Sequence, residues 1–385
     1  MSAVRTRRAG GRAKRRGTVG AVQEALFEVE VRPERWYYRQ MIDALWRSDF
    51  GADGLESELT ISRLFGTIWA GQDGPRDGGT EEAFGLGLVD FARQQHTPTA
   101  VALLRTIATI APIREIRVAA DYGADMLTAS GLRDPGWTRP IGAASPGRCW
   151  VYEDVFGDES TVICEFAYGA ERTAERHAIV IYVDHAMFSV ATDAMLVLDV
   201  DPFIRELRND AKNTMFTLRQ VDPAWARALL ARAFARTDLI EGVEVAPTLP
   251  ELRAFTLARV GILPDDPAAL PPEPVSPTPA ECRALVEEFL AGAEGLALPD
   301  RAAAERLANG IVEYSCHYDP GGVARVSPAK WETFLFDWLS NLPAAERTAM
   351  LDVVRAWSAW AGRRMALPGA ARDELAAALD EMLGE

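Results

Sequence analysis

Three short strand-like segments, Cys149–Val155, Thr161–Tyr168 and His177–Asp184, interrupt a chain whose remaining text is helical in period. That interruption narrows the fold more than any other feature. Thr161–Tyr168 alternates, with Val162, Cys164, Phe166 and Tyr168 on one face. Ile179–Val183 is apolar throughout, which fits a strand covered on both faces. Val190–Val200 fits either a fourth strand or a helix. Consecutive strands with short connections default to an antiparallel meander. The expected class is α+β and mostly helical, with a small central antiparallel sheet flanked by helical N- and C-terminal domains.

The helices are marked by period and by their ends. Phe84, Leu88 and Phe91 form one apolar stripe, Val101, Leu104, Ala108 and Ala111 a second, and Ile116, Ala120, Gly123 and Leu127 a third. Together they suggest stacked helical pairs. Thr97-Pro98, Asp201-Pro202 and Asp222-Pro223 each set a capping side chain before a proline that suits the first helical position. Thr278-x-x-Glu281 reads as a capping box, and Gly131 as the residue just past a helix end. Residues 265–279 hold six prolines and read as a linker. The expected division is a basic tail over 1–19, a helical stack over 20–133, a sheet with helices over 148–264, that linker, and a helical domain over 280–385.

Charge is uneven along the chain. Net charge is −15, yet Arg5, Arg7, Arg8, Arg12, Lys14, Arg15 and Arg16 stand together without an acid. The remainder carries 34 basic against 56 acidic residues. Such a body repels nucleic acid in bulk, while the tail reads as a solvated arm or as a phosphate-binding one. No apolar run is long enough for a bilayer span, and no apolar stretch follows the basic start as in a secretory signal. Cys149, Cys164, Cys282 and Cys316 lack C-x-x-C spacing and read as thiols of a reducing cytoplasm.

An antiparallel meander would bring Asp184 and His185, after the third strand, beside the first turn. Asp154, Asp158 and Glu159 lie there. Crowded carboxylates repel, which raises a pKa or attracts a hard divalent cation such as Mg²⁺, Mn²⁺ or Ca²⁺. A neighbouring imidazole could ligate it or carry a proton. Against this, Gly157-Asp158 suits a hairpin turn for conformational reasons alone. No P-loop, nucleophile elbow or dinucleotide fingerprint is present. Trp331 and Trp338, and Trp357 and Trp360, fall at helical spacing and read as core packing.

Two stretches carry a resemblance. One is Arg148-Cys149-Trp150-Val151-Tyr152-Glu153-Asp154-Val155-Phe156-Gly157-Asp158 with Glu165-Phe166-Ala167-Tyr168 and His177 through His185. The other is Val326-Ser327-Pro328 through Phe334-Leu335-Phe336-Asp337-Trp338-Leu339, then Arg355-Ala356-Trp357 and Gly362-Arg363. The chain resembles a family from high-GC Gram-positive bacteria to which no activity is assigned, so the resemblance transfers no catalytic residue. Members of that family show Asn and two Gly after the Asp-His pair, where this chain has Ala186, Met187 and Phe188.

Three functions stay open at this level. The leading expectation is a cytoplasmic protein-interaction or scaffold protein without a cofactor. The alternative is a metal-dependent hydrolase, acting on phosphodiesters, with Asp154, Asp158, Glu159 and Asp184 as ligands and His185 as general acid/base. The third is a nucleic-acid-associated protein working through residues 1–19.

Overall fold

The computed structural model describes residues 34–47, 50–51, 53–72, 76, 78–169, 175–186, 188–213, 215–266, 268–339 and 342–383. The basic tail read over residues 1–19 lies outside them. In chain order the elements are α1 (Glu34–Arg47), α2 (Gly54–Ala70), α3 (Gly79–Arg93), α4 (Pro98–Ile110), α5 (Arg114–Ala129), β1 (Ala144–Asp154), β2 (Glu159–Tyr168), β3 (Glu175–Asp184), β4 (Val190–Val197), α6 (Val200–Asp210), β5 (Phe216–Val221), α7 (Pro223–Leu239), α8 (Thr248–Gly261), α9 (Pro279–Ala291), α10 (Ala293–Leu296), α11 (Arg301–Tyr318), α12 (Pro328–Leu339), α13 (Ala344–Arg364) and α14 (Gly369–Leu383). The class is α+β and mostly helical, with one five-stranded antiparallel sheet. Among the described residues no helix is long and apolar enough to cross a membrane.

Two compact units divide the chain. The first takes residues 1–145, 168–174 and 247–261, and the second takes 146–167, 175–246 and 262–385.

In the first unit the helix ends follow the sequence. Thr97 accepts a hydrogen bond from the Ala100 N–H at 3.1 Å, with Pro98 opening α4. After α5, Gly131 takes φ +101°, the left-handed region that glycine tolerates. Leu132 N–H then returns to the Leu127 carbonyl at 3.3 Å, satisfying a carbonyl of the last turn. The Phe84, Leu88 and Phe91 stripe and the Ile116, Ala120 and Leu127 stripe are buried. Residues 247–261 join this unit because α2 offers them a seat. Ser62 Oγ donates to the Glu251 carbonyl at 2.8 Å and accepts the Phe255 N–H at 3.0 Å. Gly66 lets the backbones meet, since a Cβ there would lie 1.9 Å from the Pro250 carbonyl oxygen. The sequence alone places residues 148–264 with the sheet, because a seat of this kind has no local signature.

In the second unit the strand order is β4-β3-β2-β1-β5. The second and third strands each begin two residues before the expected ones, the first runs over Ala144–Asp154 and so stops short of Val155, and Val190–Val197 is a strand. The fifth strand is new; it pairs antiparallel with β1, from Cys149 opposite Val221 to Asp154 opposite Phe216. One sheet face packs Trp150, Tyr152, Ile163, Ala178 and Val180 against Val200, Ile204 and Leu207 at α6. On β4, Thr237 Oγ of α7 accepts the Ala191 N–H at 2.9 Å and donates to its carbonyl at 3.0 Å. The C-terminal helices enclose Phe289, Trp331, Phe334, Trp357 and Trp360, and Phe156 from the β1–β2 turn belongs to the same core. These tryptophans are packing residues.

One expectation about this unit needs correction. Asp222 does cap α7, and Thr278 and Glu281 do form a capping box on α9. Asp201 does not cap α6: the helix already begins at Val200, and the Asp201 carboxylate instead meets Arg176 at 3.0 Å. Residues 265–279, the expected linker, have contacts of their own. Glu273 receives Arg236 at 2.7 Å and Arg232 at 3.5 Å, which straps the segment along α7.

Candidate functional site

The rim expected from the sequence lies where β1 turns into β2. Asp154 sets the turn, its carboxylate accepting the N–H groups of Gly157 at 2.5 Å, Asp158 at 3.2 Å and Glu159 at 2.9 Å. Gly157 takes φ +75°, as a tight hairpin requires. Burial raises the Asp154 pKa, the Asp158 charge adds to this, and the three N–H donors oppose it. His185 follows β3 and donates its backbone N–H to the Asp158 carbonyl at 2.7 Å. The end of β3 therefore does lie beside the start of β2.

The side chains at this rim have separate partners. Asp158, only 8% exposed, receives the Arg325 guanidinium and the Ser327 hydroxyl, the latter at 2.8 Å. Arg325 also donates to the Phe156 carbonyl at 3.2 Å and to Asp319 at 2.8 Å. Asp319 holds Lys330 Nζ at 3.2 Å, and the same ammonium donates to the Gly322 carbonyl at 2.8 Å. Burial pushes the Lys330 pKa down to about 8 against the pull of Asp319. Ser327 Oγ accepts the Lys330 N–H at 3.0 Å, and so caps α12 while it binds Asp158. Buried ions persist when they are paired and hydrogen-bonded, and this network meets that condition.

His185 sits between two hydroxyls. Nε2 lies 2.9 Å from Ser160 Oγ and Nδ1 lies 2.9 Å from Ser189 Oγ. Burial lowers its pKa, with Glu153 the largest opposing influence. Ser160 is 1% exposed, so this Ser–His pair is closed to a substrate. Phe188 and Ser189 hold φ +64° and +58°, a region in which non-glycine residues are strained. Glu159 is exposed, and Asp184 is half-buried opposite Val190. The five residues thus share a rim, yet Asp154 fixes a turn, Asp158 fixes Arg325, and His185 bridges serines. Among the described residues no group of three or more His, Cys, Asp or Glu is placed to hold a metal ion.

Sequence reasoning missed Asp319, Arg325, Ser327 and Lys330. One signal was present: Ser327-Pro328 is a cap followed by proline, which announces α12 and places Ser327 at its start. His177 lies near the start of β3. That ring is buried and stacks on Phe166 at 5.8 Å.

The first unit holds a second closed network. Glu58, fully buried, binds Arg259 and the Tyr168 hydroxyl and accepts the Gly142 N–H at 3.1 Å. Arg253 and Glu81, far apart in sequence, meet at 3.3 Å and are also buried. Burial drives the Tyr168 phenol well above its ordinary pKa, and its hydroxyl donates to Glu58 while accepting from Arg259. On the outside of this unit, Arg105, Thr109, Arg117, Val118, Asp121 and Asp134 line an open cleft. Compared with known proteins, the chain matches no family model, no curated protein and no solved structure.

Proposed function

We propose that this chain works in the cytoplasm as a non-catalytic protein-interaction or scaffold module, with α5 as its docking face. One observation carries the reading. Val118, Tyr122 and Met126 are 59%, 62% and 46% exposed. Spaced four residues apart, they form one stripe on the helix. The opposite side of α5 is spent on the core through Ile116, Ala120, Ala124 and Leu127. An apolar row on a helix suits a partner's hydrophobic groove. Val118 and Asp121 also border the cleft, where Arg105 bridges Asp121 at 2.7 Å and Asp125 at 2.8 Å. Such charges would form the polar rim of an apolar patch.

The test places a photo-crosslinking residue at position 122 of the full chain in its own cells. The captured partner is then titrated by calorimetry against wild type and Tyr122→Glu. A loss of about 30-fold or more is expected for a central aromatic anchor. A partner that binds both forms equally, or a chain that captures nothing, sinks the reading.

A hydrolase at the β1–β2 rim has less support, because Asp154 and Asp158 already serve backbone donors and Arg325. Calorimetry with Mn²⁺ on wild type and Asp184→Ala separates the two readings: saturable binding lost in the variant would favour the hydrolase. The nucleic-acid reading rests on residues 1–19. It would gain support from binding that weakens steeply with salt and vanishes on their removal.

A further inference from the structure

The four cysteines, scattered in sequence, meet two by two. Cys149 and Cys164 lie on neighbouring strands, fully buried and hydrogen-bonded to each other. Cys282 and Cys316 form the second pair, with Sγ atoms 3.4 Å apart and both residues half-buried. Cys282 lies in the first turn of α9, and Cys316 in the last turns of α11. The strap ends here. Ser276 Oγ donates to the Cys316 carbonyl at 2.9 Å, and Cys282 Sγ lies 3.8 Å from the Pro277 carbonyl.

We propose that Cys282 and Cys316 are a reversible thiol–disulfide site that exchanges with low-molecular-weight disulfides. Bond formation needs the sulfurs to close from 3.4 Å to about 2.05 Å. Side-chain rotation supplies such a movement without separating the helices. The pair also has an order. The Cys316 thiol is pushed up to about 11 by burial and by its hydrogen bond to Cys282. Cys282, in the first turn of α9 where the helix dipole favours an anion, is the attacking sulfur, and Cys316 resolves the mixed disulfide.

The exchange balances in two steps. Cys282 thiolate attacks one sulfur of the small disulfide, forming a mixed disulfide and releasing one thiolate. Cys316 gives its proton to that thiolate and attacks the Cys282 sulfur, which closes the protein disulfide and releases the second thiolate. The protein loses two electrons and two protons, and the small disulfide becomes two thiols. Cys149 and Cys164 cannot take part, since nothing reaches them in the folded chain.

The experiment equilibrates the full chain in glutathione buffers of graded potential. Acid quenching, alkylation with N-ethylmaleimide, intact mass and peptide mapping follow. The expected product is two hydrogens lighter, links the Cys282 and Cys316 peptides within one chain, and leaves Cys149 and Cys164 reduced. In Cys316→Ser, glutathione stays on Cys282; in Cys282→Ser, oxidation falls at least tenfold. The proposal is overturned if the wild-type chain, folded by circular dichroism, keeps both thiols alkylatable at every potential. A bond between chains in place of the internal one overturns it as well.

Discussion

Asp158 shows at the scale of one side chain what the rim is for. Its carboxylate holds Arg325 and Ser327, so it joins the β1–β2 turn to the start of α12. Replacing it with alanine leaves a guanidinium that is 16% exposed with Asp319 as its remaining ionic partner. Breaking one side of a buried pair strips charge compensation, so Asp158→Ala is expected to cost about 3 kcal/mol in urea unfolding. Asp158→Asn, which keeps an acceptor for Ser327, should cost less. Lys330 gives a pH-dependent counterpart. Its folded pKa is about 8, against roughly 10.4 in an unfolded chain. Between those values the unfolded state holds the extra proton, so stability rises with pH across the window and is flat below it. Lys330→Met should remove that rise, a difference of about 3 kcal/mol between pH 7.5 and 10.5 by urea titration. Equal pH profiles for the two proteins would contradict this account.

At the scale of elements, close approach decides as much as periodicity. Gly66→Ala adds a Cβ that meets the Pro250 carbonyl. Overpacking of this kind costs roughly 1–3 kcal/mol, more than the ~1 kcal/mol that alanine gains in a helix. The variant should unfold at lower temperature in calorimetry, whereas Gly131→Ala, with open space but φ +101°, should lose less. What the sequence made legible were local devices. The Thr97 and Asp222 caps and the Thr278 capping box act within one turn, and the meander follows from short connections. Asp201-Pro202 misled because Arg176, on another element, competes for the carboxylate. The fifth strand was not legible, since Thr217, Arg219 and Gln220 are polar and only pairing with β1 makes them a strand. The course of the strap was not legible, because Arg232 and Arg236 lie far upstream. The rim itself was legible from topology. Its partners at 319–330 were not, because no local pattern links them to a turn so distant in sequence.

For the whole molecule, the important fact is interleaving. The first unit draws on three separate stretches, and its last, 247–261, supplies α8 and the arginine that neutralises Glu58. A fragment of residues 34–145 should therefore melt without cooperativity, since Ser62 and Gly66 would lose their cover and Glu58 its cation. A sharp thermal transition in that fragment, at the temperature of the full chain, would contradict this. The same arrangement governs events during synthesis. The early helices leave the ribosome with one side of α2 wet, and 116 residues separate Ser145 from Gly261. At about 5–20 residues per second, translation takes roughly 6 to 23 s to deliver what covers that side. Through that interval the face of α2 around Ser62 and Gly66 stays open to solvent until the closing helix arrives.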